Sequence, residues 1–211
     1  MARRKKQPQS VHRKNISEIA EKLFAEKGIE NTSMNDIAKE SGYSKASLYV
    51  YFKDKEELIA VLVLNSMEKL YEYISKAVNA RGDFYHRYLK ICEALFQYHY
   101  EYPLYSRMAL MNINIEFGGT EFLPEERETF EVGEKINGLL WQFFHDGIKL
   151  GIIKRDINIE QTTFTMWGML TGVIQLSFNK KEYITRMLQM PQKVFLERSF
   201  VLLYKAISVE E

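Results

Sequence analysis

Between Tyr43 and Tyr51 the chain reads YSKASLYVY, and these side chains suit one chemistry. Lys45 carries an ammonium, Ser44 and Ser47 carry hydroxyls, and Tyr43, Tyr49 and Tyr51 carry phenols. Such groups donate to phosphate oxygens, and lysine and serine also reach base edges. Ala46 and Ser47 are small enough to let a backbone come close to its partner. The pattern fits noncovalent recognition of a nucleic acid.

Three helix-start signals position this segment. Ser33 is followed three residues on by Asp36, and Asp54 by Glu57, both with capping-box spacing. Ser44 follows the turn at Gly42-Tyr43 and caps the helix that carries the polar set. Ile37 and Ala38 supply one small apolar face, and Leu48 and Phe52 another. Helices this short do not stand alone in water, because nucleation is costly. Ile16, Ile19, Ala20, Leu23 and Phe24 recur at three and four, predicting a preceding amphipathic helix closed by Gly28. Two short helices across a glycine turn, packed on a third, describe a helix-turn-helix. Its second helix enters the major groove N-terminus first. That end carries free N–H groups and partial positive charge, which suit a phosphate. Lys55 adds charge to the first turn of the next helix.

Residues from about Ile16 to Leu62 resemble the DNA-binding head of the TetR family of bacterial transcriptional regulators. The match is carried by IAEKLFAEKGIENTS, MNDIAKESGYSKASLYVYF and KDKEEL. The resemblance implies an all-helical protein with three N-terminal helices, a connecting fourth helix and a ligand-binding, dimeric body. It implies phosphate contacts at Thr32 or Ser33, Lys45, Tyr49, Tyr51 and Lys55. It implies base readout from Tyr43, Ser44, Lys45, Ala46 and Val50, with Ser47 beside them. Val50 departs from the family, which often places a polar or aromatic residue there. Val50 either touches a thymine methyl or only packs or faces solvent.

The 211 residues hold 46% hydrophobic side chains, 11 glycines and 4 prolines, which argues against a loop-rich all-β chain. The net charge is only +1, but Arg3, Arg4, Lys5, Lys6, Arg13 and Lys14 crowd residues 1–14 without an acid. This stretch is expected to be a basic arm, either solvated or touching phosphates and the minor groove. No apolar run is long enough to span a membrane, and no apolar core follows the basic start to make a signal peptide. Cys92, in LKICEALF, is expected to be a buried thiol in a reducing cytoplasm, with redox sensing left open.

Beyond the head the pattern is helical throughout. Asp54 to about Ala80 forms a connecting helix stopped at Gly82; Asp83 caps a helix to about Glu101; Pro103 opens one to about Glu116. A loop at Gly118-Gly119 and Pro124 precedes a helix from Glu125 to Leu150. Asn158 or Ile159 starts a helix ending near Asn179, and Pro191 opens the last, to about Ile207. The expected fold is all-α, about nine helices: an arm over 1–14, the head over 15–53, and a ligand-binding and dimerisation body over 54–211.

In the body, Phe164, Gly168 and Gly172 on one helix and Phe195, Val201 and Leu202 on the last belong to surfaces apolar around most of their circumference. Two such helices from each of two chains make a four-helix dimer interface; the alternative is that both are core helices of a monomer. A dimer's heads would read half-sites about 34–36 Å apart, or a multiple of that. Phe96, Tyr100, Met108, Met111, Trp141, Phe144, Met166 and Trp167 are either ordinary core or the lining of an adaptable apolar cavity. His99 and His145 are candidate polar contacts there, or satisfied histidines. The resemblance implies such a cavity between the connecting helix and the body.

The expected function is a cytoplasmic DNA-binding regulator, a dimeric repressor on a pseudo-palindromic double-stranded operator, released by a small apolar or aromatic ligand. Repression is the expected sign because a dimer seated on a promoter blocks polymerase without further contacts. Scattered histidines make no metal constellation, and there is no phosphate loop or nucleophile elbow, so neither catalysis nor a cofactor is expected. The alternative is a ligand-binding helical protein, or an enzyme, on a TetR-like body without DNA binding.

Overall fold

The computed structural model describes residues 8–110 and 122–209. The helices are α1 (Gln9–Lys27), α2 (Met34–Ser41), α3 (Lys45–Tyr51), α4 (Lys55–Val78), α5 (Phe84–Glu101), α6 (Pro103–Met108), α7 (Pro124–Lys149), α8 (Ile159–Asn179), α9 (Lys181–Leu188) and α10 (Gln192–Ile207). They divide into two compact units. One comprises residues up to Met67 with the described part of Leu104–Phe130; the other comprises Glu68–Pro103 and Glu131 onward. The division falls inside α4 and α7.

In the first unit, α1 buries Ile16, Ala20, Leu23 and Phe24, the stripe its spacing announces. Both α2 and α3 pack on α1 and on each other. The turn at Gly28 closes on Phe24 O. Ser33 accepts from Asp36 N while Asp36 returns a bond to Ser33 N, completing the capping box. Gly42 takes φ +73°, a left-handed conformation that costs other residues about 1 kcal/mol or more, and so turns α2 into α3. Ser44 accepts from Ser47 N at 3.1 Å and starts α3. Leu48, Phe52, Leu58 and Leu62 are fully buried.

The basic stretch over residues 1–14 is not an arm throughout. α1 begins at Gln9, so Arg13 and its neighbours belong to a helix rather than to a tail. Residues 1–7, with Arg3, Arg4, Lys5 and Lys6, lie outside the described residues.

The second unit is built on α5, which packs on α8 and α10. Phe84 stacks on Phe143 at 4.2 Å between ring centroids, and Arg87 lies over the same Phe143 ring. Tyr88 donates its hydroxyl to Phe200 O at 2.9 Å. Ile153 pairs with Ser208, and Val209 N donates to Ile152 O, so the segment after α10 is tied to the turn after α7. Cys92 is fully buried, and burial pushes its thiol up to about 12, which keeps it protonated and unreactive.

Two helix expectations differ. α9 was not foreseen: Lys180 (φ −119°) separates it from α8 without a glycine or proline to mark the break. α6 ends at Met108, where Leu110 N turns back to Arg107 O. The rest of that expected helix, to Glu116, and the Gly118-Gly119 loop lie outside the described residues.

Candidate nucleic-acid interface

α3 has one buried edge and one open face. Leu48 is fully buried, whereas Ser44, Lys45, Ala46, Tyr49 and Val50 are exposed, Val50 at 71%. Lys45 makes no ion pair among the described residues, so its ammonium is available to an anion. The Ser47 hydroxyl lies 2.8 Å from that of Ser44, and the two steady the first turn. Beside this face is a groove of about 460 Å³ lined by residues 30–35 together with Lys45, Tyr49 and Lys55. It opens at the N-terminus of α2, where free N–H groups favour an anion. The Ser33 hydroxyl and then its backbone N–H hold the Asp36 carboxyl below its ordinary value. That carboxylate is therefore occupied by the cap.

Two residues expected to hold phosphates are placed differently. Thr32 is 1% exposed, and its hydroxyl donates to Gly28 O at 2.9 Å. Lys55 is half-buried; it donates to Ile29 O and lies 6.0 Å from the Phe24 ring centroid. Both residues donate to carbonyls in the loop after α1. They build the groove rather than present free donors to it.

Tyr43 and Tyr51 turn toward α1. The Tyr43 hydroxyl lies 2.6 Å from His12 Nδ1, and the His12 ring stacks on Tyr51 at 4.9 Å. Arg13 donates to Tyr51 O, to Glu57 Oε1 and to Glu125 Oε1, each at 2.6 Å. Sequence reasoning passed over His12 and placed Arg13 in the basic arm. A signal existed, since they precede Ile16 by four and three residues and so continue the buried stripe of α1.

The body's ligand candidates do not all converge. Phe144, Met166 and Trp167 line an apolar cavity with Ile74, Tyr88, Ile91, Leu95, Leu140, Phe143, Thr163 and Leu170. Its volume is about 30 Å³, close to one water molecule. No charged side chain lines it, and Thr163 directs its hydroxyl to Ile159 O. Phe96 instead borders a surface groove with Leu196 and Phe200, and stacks on Phe178. Tyr100 is exposed, and Met108 is buried in the first unit. Trp141 is half-buried with its indole N–H unpaired, outside the lining of this cavity. Met111 lies outside the described residues. His99 lies 4.7 Å from the Phe178 ring, and His145 is exposed, so neither lines the cavity. These departures share a cause: composition does not tell which side of a helix meets which neighbour.

Phe164 (61%), Gly168, Gly172 and Leu202 (69%) are exposed on α8 and α10, and Phe195 and Val201 are half-buried. A side chain built at Gly168 or Gly172 would meet nothing within 4 Å in this chain. Among the described residues no cluster of His, Cys, Asp and Glu could hold a metal ion. Among them, too, no helix is long and apolar enough to cross a membrane.

Residues 16–62 match the family described as bacterial regulatory proteins, tetR family. An HTH-type transcriptional regulator of Staphylococcus aureus strain USA300 is 32% identical over 102 residues, 48% of this chain and 53% of that protein. The chain thus spans about half the length of the curated relatives it matches. The crystal structure of PfmR, a TetR family transcriptional regulator from Thermus thermophilus, is 25% identical, with TM-score 0.65 over 93% of this chain and 99% of that one. A protein of unknown function from Rhodococcus sp. RHA1 shares the fold, with TM-score 0.75 at 15% identity over 99% of this chain and 100% of that one. The first two relatives are transcriptional regulators by name.

Proposed function

We propose that this chain, whose residues 16–62 match the tetR family of bacterial regulatory proteins, is a dimeric repressor of transcription released from its operator by an uncharged apolar ligand. One observation carries the DNA reading: α3 buries Leu48 while Lys45, Ala46, Tyr49 and Val50 stay open. A lysine and a tyrosine beside an open helix N-terminus fit a phosphate backbone, and small and apolar residues fit base edges. Lys45 and Tyr49 hold phosphates; Ser44, Ala46 and Val50 meet bases. Tyr43 and Tyr51 act from behind, as the packing that sets the angle of α3.

The dimer reading is supported by Phe164, Gly168, Gly172 and Leu176, spaced by four along α8 and all exposed. Leu202 repeats this on α10. Large apolar side chains open to water beside glycines favour a close-packed helical interface with a second copy.

The ligand reading is supported by the apolar cavity. An uncharged occupant fits it, because a charged group would be desolvated there without a partner. At about 30 Å³ the cavity admits a larger ligand only by repacking, and Met166 and the leucines offer that freedom. α4 contributes Ile74 to this cavity and begins at Lys55, three residues beyond Phe52. A ligand that fits better with α4 displaced disfavours the DNA-bound form by the ratio of its affinities for the two forms.

The experiment is selection of bound duplexes from random DNA by the whole chain, followed by titration at several salt concentrations. The expected result is a two-fold-symmetric site whose half-sites lie about 34–36 Å apart or a multiple of that. Failure to enrich any duplex at low salt would refute the DNA reading.

A further inference from the structure

We propose that Arg13 is a positioning residue through which the first turn of α7 sets the pose of α3. The inference rests on the reading of α3 as the DNA-recognition helix.

Arg13 sits on α1 and joins three other elements. Its Nη1 donates to Tyr51 O, the last residue of α3, and to Glu57 Oε1 in the first turn of α4, each at 2.6 Å. Its Nη2 donates to Glu125 Oε1 in the first turn of α7, also at 2.6 Å. The guanidinium carbon lies 4.3 Å from the centre of the Phe52 ring, on which the group is seated. Side-chain exposures of 25% for Arg13, 17% for Glu57 and 19% for Glu125 keep the network largely out of water, where salt screens it less. A planar fork with fixed donors can serve a carbonyl and two carboxylates at once, whereas a lysine ammonium cannot match that geometry.

The partners are fixed from behind. Glu57 also accepts from Lys53 N, and its own N–H donates to Asp54 Oδ1. Glu126, next to Glu125, accepts from Leu123 N at 2.9 Å beside the start of α7. The dipole favours an acid in this turn but does not by itself direct Glu125 Oε1 onto Arg13. The same helix contributes Leu140, Phe143 and Phe144 to the apolar cavity. α7 is thus a second route to the recognition helix beside α4, and Arg13 is its last link.

The test measures affinity of the whole chain for its selected duplex at fixed salt, in the parent, Glu125→Gln, Arg13→Gln and the double variant. Removing a negative charge by itself tightens binding to a polyanion. Positioning predicts the opposite sign: Glu125→Gln binds about 5- to 20-fold more weakly. The slope of affinity against salt stays unchanged, because no phosphate contact is lost. Helix content and the thermal midpoint report that the variants fold. The double variant binds no more weakly than Arg13→Gln, because the pair acts as a unit. The proposal is overturned if Glu125→Gln binds as well as the parent or better, or if the two losses multiply. If Glu125→Gln does not fold, Glu125→Asp is read instead; it keeps the charge but not the reach, and unchanged affinity overturns the proposal. A parent chain that binds no duplex removes the DNA reading itself, and is thereby told apart from a failure of Arg13 alone.

Discussion

The Nδ1 of His12 lies 2.6 Å from the hydroxyl of Tyr43, and the same imidazole stacks on Tyr51 at 4.9 Å. One histidine on α1 therefore braces Tyr43, which precedes the cap of α3, and Tyr51, which ends that helix. Tyr43 and Tyr51 are also in edge contact at 5.8 Å, so the three rings form one cluster. Tyr43→Phe is expected to lose about 1 kcal/mol of stability. His12→Ala should lose more, since the stacking goes with the bond. Urea unfolding followed by helical signal measures both. A Tyr43→Phe protein as stable as its parent would mean that the hydroxyl is free for DNA.

The two lysines beside the groove should behave differently. Lys45→Ala removes an exposed ammonium and is expected to lower the salt slope of operator binding by about one, with stability unchanged. Lys55→Ala removes the bond to Ile29 O and should cost about 1 kcal/mol of stability. Equal changes in slope for both variants would return Lys55 to the phosphate-binding set.

Val50 is 71% exposed on the face of α3. If it touches a thymine methyl, uracil in place of that thymine weakens binding by the parent and leaves Val50→Ala indifferent. A uracil scan across the selected site decides this. Equal sensitivity of parent and variant at every position removes the methyl contact.

Gly147 has no room for a side chain. A Cβ there would lie 2.6 Å from Ile153 Cγ1 and from Phe84 Cε2 and Cζ. A ring in a packed core and a buried isoleucine yield little, so Gly147→Ala is expected to cost about 1–3 kcal/mol. Thermal or urea unfolding measures it.

Phe164→Glu or Leu202→Glu places a charge on a surface that is open in the single chain. Neither should unfold the protomer, and each should shift the sedimenting species from dimer to monomer. The operator then binds with a lower apparent affinity, because the second head is no longer held beside the first. Unchanged mass for both variants would leave the α8–α10 surface outside the dimer interface.

Much of the first unit was readable because its signals are local. Ser33, Ser44 and Asp54 were recognisable as caps three residues from their partners, and Gly42 as a left-handed turn. The site was less readable. Thr32 and Ser33 look alike in sequence, yet one hydroxyl is inside on Gly28 O and the other is exposed at a helix start. Glu125 and Glu126 look alike too, and only one of them faces Arg13. In the body, Phe96 and Phe144 occupy similar apolar helical patterns, but only Phe144 reaches the cavity. α9 escaped notice because no glycine or proline parts it from α8.

By itself the sequence determined most of the helices, many of their ends and the open face of α3. Capping, turn handedness and apolar spacing act over three or four residues, so their causes lie side by side in the chain. Tertiary structure alone decided which donors remain free for DNA and which are engaged inside. The acceptors that claim Arg13 stand 38, 44 and 112 residues away, and a hydrogen bond exists only when folding brings its two atoms within reach.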